Sequence, residues 1–243
     1  MRIMSNPRVS LAVVCTGKYD RFLQPLIDSA EEWFFKGEEY DVYIFTDAPH
    51  ASLRASRATI FTEAVEHHPF PFIAMEMYKF IAEYKGFRAD NLFSIDADMR
   101  FVGEVGAEIL PDHRGLVATR HPGFWKYGWG SRKCHPLSTA YVPEQQRVSY
   151  VCGAFEGGTK EAFVDASREM WANILLDAEK SAEIGWTTNY GVLADMHDES
   201  HWNAYIKKHP AKLLPPEYCY PETWHIPFEK KIVALKKNLR EVR

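Results

Sequence analysis

Cysteine is scarce. The 243 residues hold four, Cys15, Cys134, Cys152 and Cys219, far apart and without a Cys-x-x-Cys pair. Neither a zinc knuckle nor a disulfide scaffold is encoded, and a reducing, cytoplasmic compartment is expected. Long hydrophobic runs are also lacking: none approaches the roughly 18 apolar residues of a membrane helix, and the polar start, Met1 to Arg8, has no signal-peptide core behind it. The expectation is a soluble protein with no transmembrane segment. Positive charge is not in excess either, since 29 Lys and Arg face 33 Asp and Glu for a net −4. Without a global positive field, nucleic-acid binding is disfavoured, although a local basic patch could grip a phosphate ligand. No internal repeat or low-complexity tract is present. What remains, 46% hydrophobic and 26% charged residues, is the composition of a soluble globular chain of one large or two small domains.

Runs of β-branched and apolar residues alternate with helical patterns, which predicts an α/β architecture with substantially parallel strands. Val9 to Cys15 reads as the first, buried strand. A helix follows from about Phe22 to Lys36, with Leu23, Leu26, Ile27, Ala30, Trp33 and Phe34 on one face and Pro25 in its first turn. Asp41 to Thr46 and Thr59 to Val65 are expected strands, Ile73 to Tyr84 a helix, and Leu92 to Ile95 a short strand. Gly115 to Thr119 is a further strand. Gly123 to Pro143, rich in Gly, Trp and Tyr, has little periodicity and reads as a binding loop or a disordered one. Lys160 to Glu183 is the longest predicted helix, and a shorter one runs from Asp198 to Lys208, ahead of Pro210. The last segment, from Lys230, is basic.

Four segments carry candidate chemistry. Asp96-Ala97-Asp98 leaves a strand at its carboxyl end, where open α/β sheets bind ligands, and two carboxylates there suit Mg²⁺ or Mn²⁺ that keeps sites free for phosphates. A solvated turn is the plain alternative. In His197-Asp198-Glu199-Ser200-His201, Asp198 or Ser200 could cap the following helix, and a carboxylate near that terminus is expected to stay ionised. Glu199 is then a nucleophile or a stabiliser of developing positive charge. His197 and His201 share a face, but the Glu does not sit where a His-Glu-x-x-His zinc site puts its base. His121-Pro122-Gly123-Phe124-Trp125, with Tyr127 and Trp129, offers aromatic faces and polar tips to a sugar, or packs a loop onto the core. Cys152 to Gly158 is a small-residue run that lets backbone approach a ligand, or a tight bend.

These pieces, taken together and in order, resemble the family 6 retaining glycosyltransferases, the group of the ABO blood-group and α-1,3-galactosyltransferases. The matching segments are Tyr43-Ile44-Phe45-Thr46-Asp47, Met75-Glu76-Met77, Asp96-Ala97-Asp98-Met99, Val105 to Leu110, His121-Pro122-Gly123-Phe124, Ala140-Tyr141-Val142-Pro143, Gly157-Gly158, His197 to His201 and Pro216-Glu217-Tyr218. They span almost the whole chain. The resemblance implies a GT-A-type fold, a Rossmann-like mixed sheet flanked by helices. It also implies transfer of galactose or N-acetylgalactosamine from a UDP-sugar to a glycan acceptor, in an α-1,3 linkage with retention. Carried over residue by residue, Asp96 and Asp98 would hold Mn²⁺ (or Mg²⁺) and the diphosphate, and Val14, Thr16 and Tyr19 would line the uridine. Asp198 would meet the donor-sugar hydroxyls, Cys152, Gly153 and Ala154 would border the sugar, and Glu199 would face the anomeric carbon. His121, with Phe124 and Trp125, would meet the acceptor, and Lys237 and Arg243 would cover the diphosphate.

The resemblance further implies one catalytic domain: a nucleotide-binding half at 9–115, an acceptor and catalytic half at 116–229, and a basic lid at 230–243 that donor orders. The animal enzymes' anchor and stem have no counterpart, so a compact member of the bacterial or phage type is expected. Where the family has Arg before Met-Glu-Met this chain has Ala74, and Lys79 is the candidate replacement cation. Ala154 favours a 2-hydroxyl and hence UDP-galactose. The alternatives are a UDP-glucose-using transferase, a UDP-sugar hydrolase of the same fold, and a carbohydrate-binding module without activity.

Overall fold

The computed structural model describes residues 7–48, 52–126, 134–183 and 191–238. Strands β1 (Val9–Val14), β2 (Tyr40–Thr46), β3 (Ala58–Ala64) and β4 (Asn91–Ile95) form a parallel half-sheet. It continues through β6 (Leu116–Arg120), β7 (Val151–Thr159) and β8 (Lys212–Leu214) into one seven-stranded sheet ordered β3-β2-β1-β4-β7-β6-β8. β7 runs antiparallel to both β4 and β6, so the sheet is mixed. A second, three-stranded sheet joins β5 (Met99–Phe101), β10 (Ile232–Ala234) and β9 (Tyr220–Pro221). The helices are α1 (Leu23–Trp33), α2 (Phe72–Glu83), α3 (Lys160–Glu183) and α4 (His197–Lys208).

Apolar residues sort the helices to the two faces. On one face Leu23, Leu26, Ile27 and Phe34 pack with Val9, Leu11, Val13, Phe93 and Phe155. On the other, Met75, Tyr78 and Ile81 of α2, Phe163 and Met170 of α3 and Trp202 of α4 pack with Leu92, Leu116 and Val151. This three-layer mixed α/β arrangement is the GT-A-type fold. Among the described residues no helix is long and apolar enough to cross a membrane.

Local chemistry sets the element ends. α1 begins only after a 3-10 turn over Gly17–Phe22, and stops at Trp33 because Phe35 and Gly37 take positive φ. Its last carbonyls do not go begging: the Arg57 guanidinium donates to Ala30, Glu31, Phe34 and Phe35. Glu31 answers by accepting the Arg57 and Ala58 amides at 2.9 Å, and these bonds, with one from the Ser56 hydroxyl, bring its carboxyl down to about 2 despite partial burial.

Two expectations change. The Cys152–Gly158 run is no bend but most of the nine-residue strand β7. Its glycines serve strand contact, since a Cβ at Gly157 would collide with the Leu92 carbonyl and one at Gly158 with the Gly115 carbonyl. Nearer the chain's end, Ile232–Ala234, which sequence reading left without an element inside the 230–243 lid, forms strand β10, with Ile232 fully buried.

Candidate active site

A cleft of about 640 Å³ opens beyond the carboxyl ends of β1 and β4. Val14, Thr16 and Tyr19 line it from the β1 side, Asp96, Ala97 and Asp98 form its floor, and Asp198 and Lys237 reach in from α4 and the chain's end. The turn after β1 has little freedom. Gly17 takes φ +58°, its amide donates to Asp47 at 2.9 Å, and an added Cβ would lie 3.1 Å from the His67 ring. His67 in turn meets the Thr16 hydroxyl at 2.9 Å. On the opposite wall, Ala74 and Met77 belong to a segment singled out in the sequence, but His67, Pro69, Phe70 and Ile73 beside them were missed. The His67-His68-Pro69-Phe70-Pro71 cluster ahead of α2 was the signal for them.

The floor is crowded with carboxylates. Asp96 donates its amide to the Ala154 carbonyl (3.1 Å), which holds the turn against β7. Its side chain is exposed at the cleft floor, and desolvation by the cleft walls together with Asp98 and Asp198 raises its carboxyl above the ordinary range. Asp98 is buried and its partner is the Lys237 ammonium, which also lies 4.9 Å from the Tyr19 ring. Asp198 is pushed up to about 7 by burial and by Glu199, although its own and Glu199's amides pull the other way. The expected helix-end stabilisation is thus outweighed by desolvation. The capping expectation also changes: α4 has Met196 at its N-cap and no side-chain cap bond, and Asp198 and Glu199 occupy its first turn.

Gly153 explains why that turn reaches the floor. A Cβ there would sit 2.8 Å from an Asp198 oxygen and 3.4 Å from Glu199 Cβ, while the Gly153 amide donates to Glu199 at 3.3 Å. The small-residue run therefore admits the two carboxylates of α4. Cys152 itself is buried beside Cys219, outside the set of residues that line the cleft.

The aromatic residues form a separate group. His121 stacks on Phe124 with centroids 4.8 Å apart, Tyr150 closes in at right angles, and Trp125 meets Phe228 at 5.0 Å. His121 Nδ1 accepts the Gly123 amide at 3.0 Å, so the neutral ring carries its proton on Nε2. Tyr127, Trp129 and Arg243 lie outside the described residues. Lys79 does not face the cleft; it lines another hollow with Glu63 and Glu83 and stands 6.0 Å from the Trp171 ring. Among the described residues no group of three or more His, Cys, Asp or Glu makes a ready-made metal cage. Asp96 and Asp98 nevertheless suit a divalent ion whose other ligands come with a substrate, because their charges oppose each other and Lys237 already stands in as a cation.

The family model for glycosyltransferase family 6 matches residues 3–243. Histo-blood group ABO system transferase 2 of Rattus norvegicus is 30% identical over 99% of this chain and 72% of its own length. Globoside alpha-1,3-N-acetylgalactosaminyltransferase 1 of Mus musculus is 30% identical over 98% of the chain and 69% of its own. Alpha-1,3-galactosyltransferase 2 of Homo sapiens is 27% identical over 88% and 63%. With the match running almost end to end on a GT-A-type fold, the chain belongs to glycosyltransferase family 6 and is a hexosyltransferase.

Proposed function

We propose that the enzyme moves galactose or N-acetylgalactosamine from a UDP-sugar to a glycan acceptor, forming an α-1,3 bond with retention. The observation that carries this reading is the convergence of Asp96 and Asp98, just beyond β4, with Asp198 of α4 at one cleft, Glu199 standing next to Asp198 against Gly153. The donor reading draws further support from relatives named for α-1,3 transfer of those two sugars. The β1 wall takes the uridine. Asp96 and Asp98 would hold Mn²⁺ or Mg²⁺, which when bound supplies positive charge against the diphosphate. Lys237, already at Asp98, lies within reach of the same phosphates.

Glu199, held by the Gly153 amide, is placed to oppose the positive charge that builds at the anomeric carbon as UDP leaves. It acts either by electrostatic stabilisation or as a transient nucleophile, and both routes retain configuration. The galactose preference rests on the resemblance, in which Ala154, whose carbonyl accepts the Asp96 amide, would border the sugar's 2-position. His121 and Phe124 offer a polar tip and a flat face to the acceptor. Four free cysteines, with Cys152 and Cys219 side by side yet unbridged, support a reducing compartment.

Titrating UDP with and without Mn²⁺, and assaying UDP release from a panel of UDP-sugars with and without glycan acceptors, tests the proposal. Binding and turnover are expected to need the divalent ion, with Asp98→Ala losing both. Asp98→Ala that keeps wild-type activity in EDTA overturns the metal assignment. UDP release indifferent to every acceptor marks a hydrolase instead.

A further inference from the structure

Glu156 stands in the middle of β7, opposite Ser94 on β4 and Ala118 on β6, and none of it reaches solvent. Nothing in the proposed chemistry uses it. Alternation along the strand sends Phe155 to the α1 face, where it stacks on Phe93, and Glu156 to the other face. There Glu156 Oε1 lies 2.9 Å from the hydroxyl of Tyr78, a fully buried residue of α2. The same phenol oxygen lies 3.2 Å from the Asp198 carbonyl. Glu156 Oε2 has no hydrogen-bond partner among the described residues.

Counting protons decides what this contact is. A phenol has one hydrogen, and a carbonyl oxygen only accepts. If that hydrogen went to an ionised Glu156, the Tyr78 oxygen would face the Asp198 carbonyl lone pair against lone pair. A carboxylate with one bare oxygen would also sit in an apolar layer, an expensive arrangement. If Glu156 carries a proton, it donates to Tyr78, Tyr78 donates to Asp198, and both close contacts become hydrogen bonds. The titratable groups facing it are Tyr78 from α2, Asp198 from α4, Asp96 beyond β4 and Cys152 on its own strand, none of them a cation. Burial among them keeps its carboxyl well above the ordinary range.

We propose that Glu156 is a neutral carboxylic acid in the working enzyme and that, through Tyr78, it is a positioning residue for the α4 turn that carries Asp198 and Glu199. This rests on the reading that those two carboxylates meet the donor sugar. Gly153 sets the turn from the side of β7, and the Glu156–Tyr78 relay sets it from α2.

The test uses the whole chain. At pH 8 the infrared spectrum of wild type minus Glu156→Gln is expected to show a carboxylic-acid carbonyl band, and absence of that band overturns the neutral assignment. In UDP release from UDP-galactose, Glu156→Gln, whose amide still donates to Tyr78, is expected to keep kcat within about threefold. Tyr78→Phe and Glu156→Leu are expected to lose roughly tenfold in kcat with UDP affinity unchanged, the scale of one buried hydrogen bond. If Glu156→Gln is as impaired as Glu156→Leu, or if Tyr78→Phe lowers melting temperature without lowering kcat, the positioning role is overturned. Should Glu156→Leu not fold, the Gln and Phe variants decide. A wild type that is inactive with every UDP-sugar overturns the functional reading and the positioning role that depends on it. The infrared band would still settle the proton.

Discussion

Glu199 and Asp198 are neighbours with different surroundings: one accepts the Gly153 amide, the other packs against the same glycine and is pushed toward its neutral form. If Glu199 opposes charge that exists only as UDP departs, its loss leaves ground-state binding alone. Glu199→Gln is therefore expected to keep UDP affinity, measured by calorimetry, and to lose turnover by at least about 10²-fold. Equal losses in both would make it a structural residue. At this scale the sequence speaks unevenly. Asp96 and Asp98 were legible because a carboxylate pair leaving an apolar strand has few structural uses. Glu156 was hidden in the same run as the glycines, where an acid inside a strand gives no hint of the tyrosine it meets 78 positions away. The expected role of Asp198 as a helix cap failed because α4 starts earlier, with Met196 at the N-cap and Asp198 inside the first turn, and its expected ionisation is opposed by burial beside Glu199.

Among the elements, β7 and α4 carry the strongest constraints. Gly157 leaves no room for a methyl group against the Leu92 carbonyl, which is rigid backbone in the neighbouring strand. Gly157→Ala is expected to cost at least about 2 kcal/mol in urea unfolding, a typical overpacking penalty. In α4, His201 is buried, and desolvation with His197 nearby lowers its pKa from 6.5 to about 3. Asp177 does not rescue its charge: it lies 3.9 Å away and already accepts from Ser138 and Thr139. The unfolded chain thus takes up a proton below pH 6.5 that the folded protein refuses until about pH 3. Stability from this group is complete above pH 6.5 and falls as pH drops toward 3. Its slope is of order 1 kcal/mol per pH unit. His201→Gln is expected to flatten that limb of the melting-temperature profile, and an unchanged limb would assign the acid sensitivity elsewhere. Helix periodicity placed α3 at its observed bounds, Lys160 to Glu183. It could not show that Asp177 on that helix would bind the 138–139 turn, because such contacts have no local pattern.

For the whole molecule, the open question is what covers the cleft. The described chain already brings Lys237 onto Asp98, and the Leu235 amide donates to the Asp98 carbonyl. Strand β10 precedes this contact and is independent of it. Deleting residues 236–243 is expected to leave the melting temperature within about 4 °C of wild type, a change below roughly 1 kcal/mol. Turnover is expected to fall by more than about tenfold, the scale of losing a charge-assisted contact to phosphate. Hydrogen exchange over 236–243 should slow when UDP and Mn²⁺ are added; equal protection before and after would remove the lid assignment. A fold with parallel strands, a basic end and a carboxylate edge was readable in advance. The resemblance implied a mixed sheet, but that β7 is the strand that reverses was not readable, since strand direction is set by partners far along the chain.

That reversal has a mechanical consequence. By lying between β4 and β6, β7 stitches the β1 side and the α4 side of the cleft into a single ladder, with no break in the sheet among the described residues along which two lobes could swing apart. Substrates must come and go past side chains and surface segments while the scaffold stays rigid. Loading the donor should consequently leave the radius of gyration in solution unaltered, with all its motion confined to the rim.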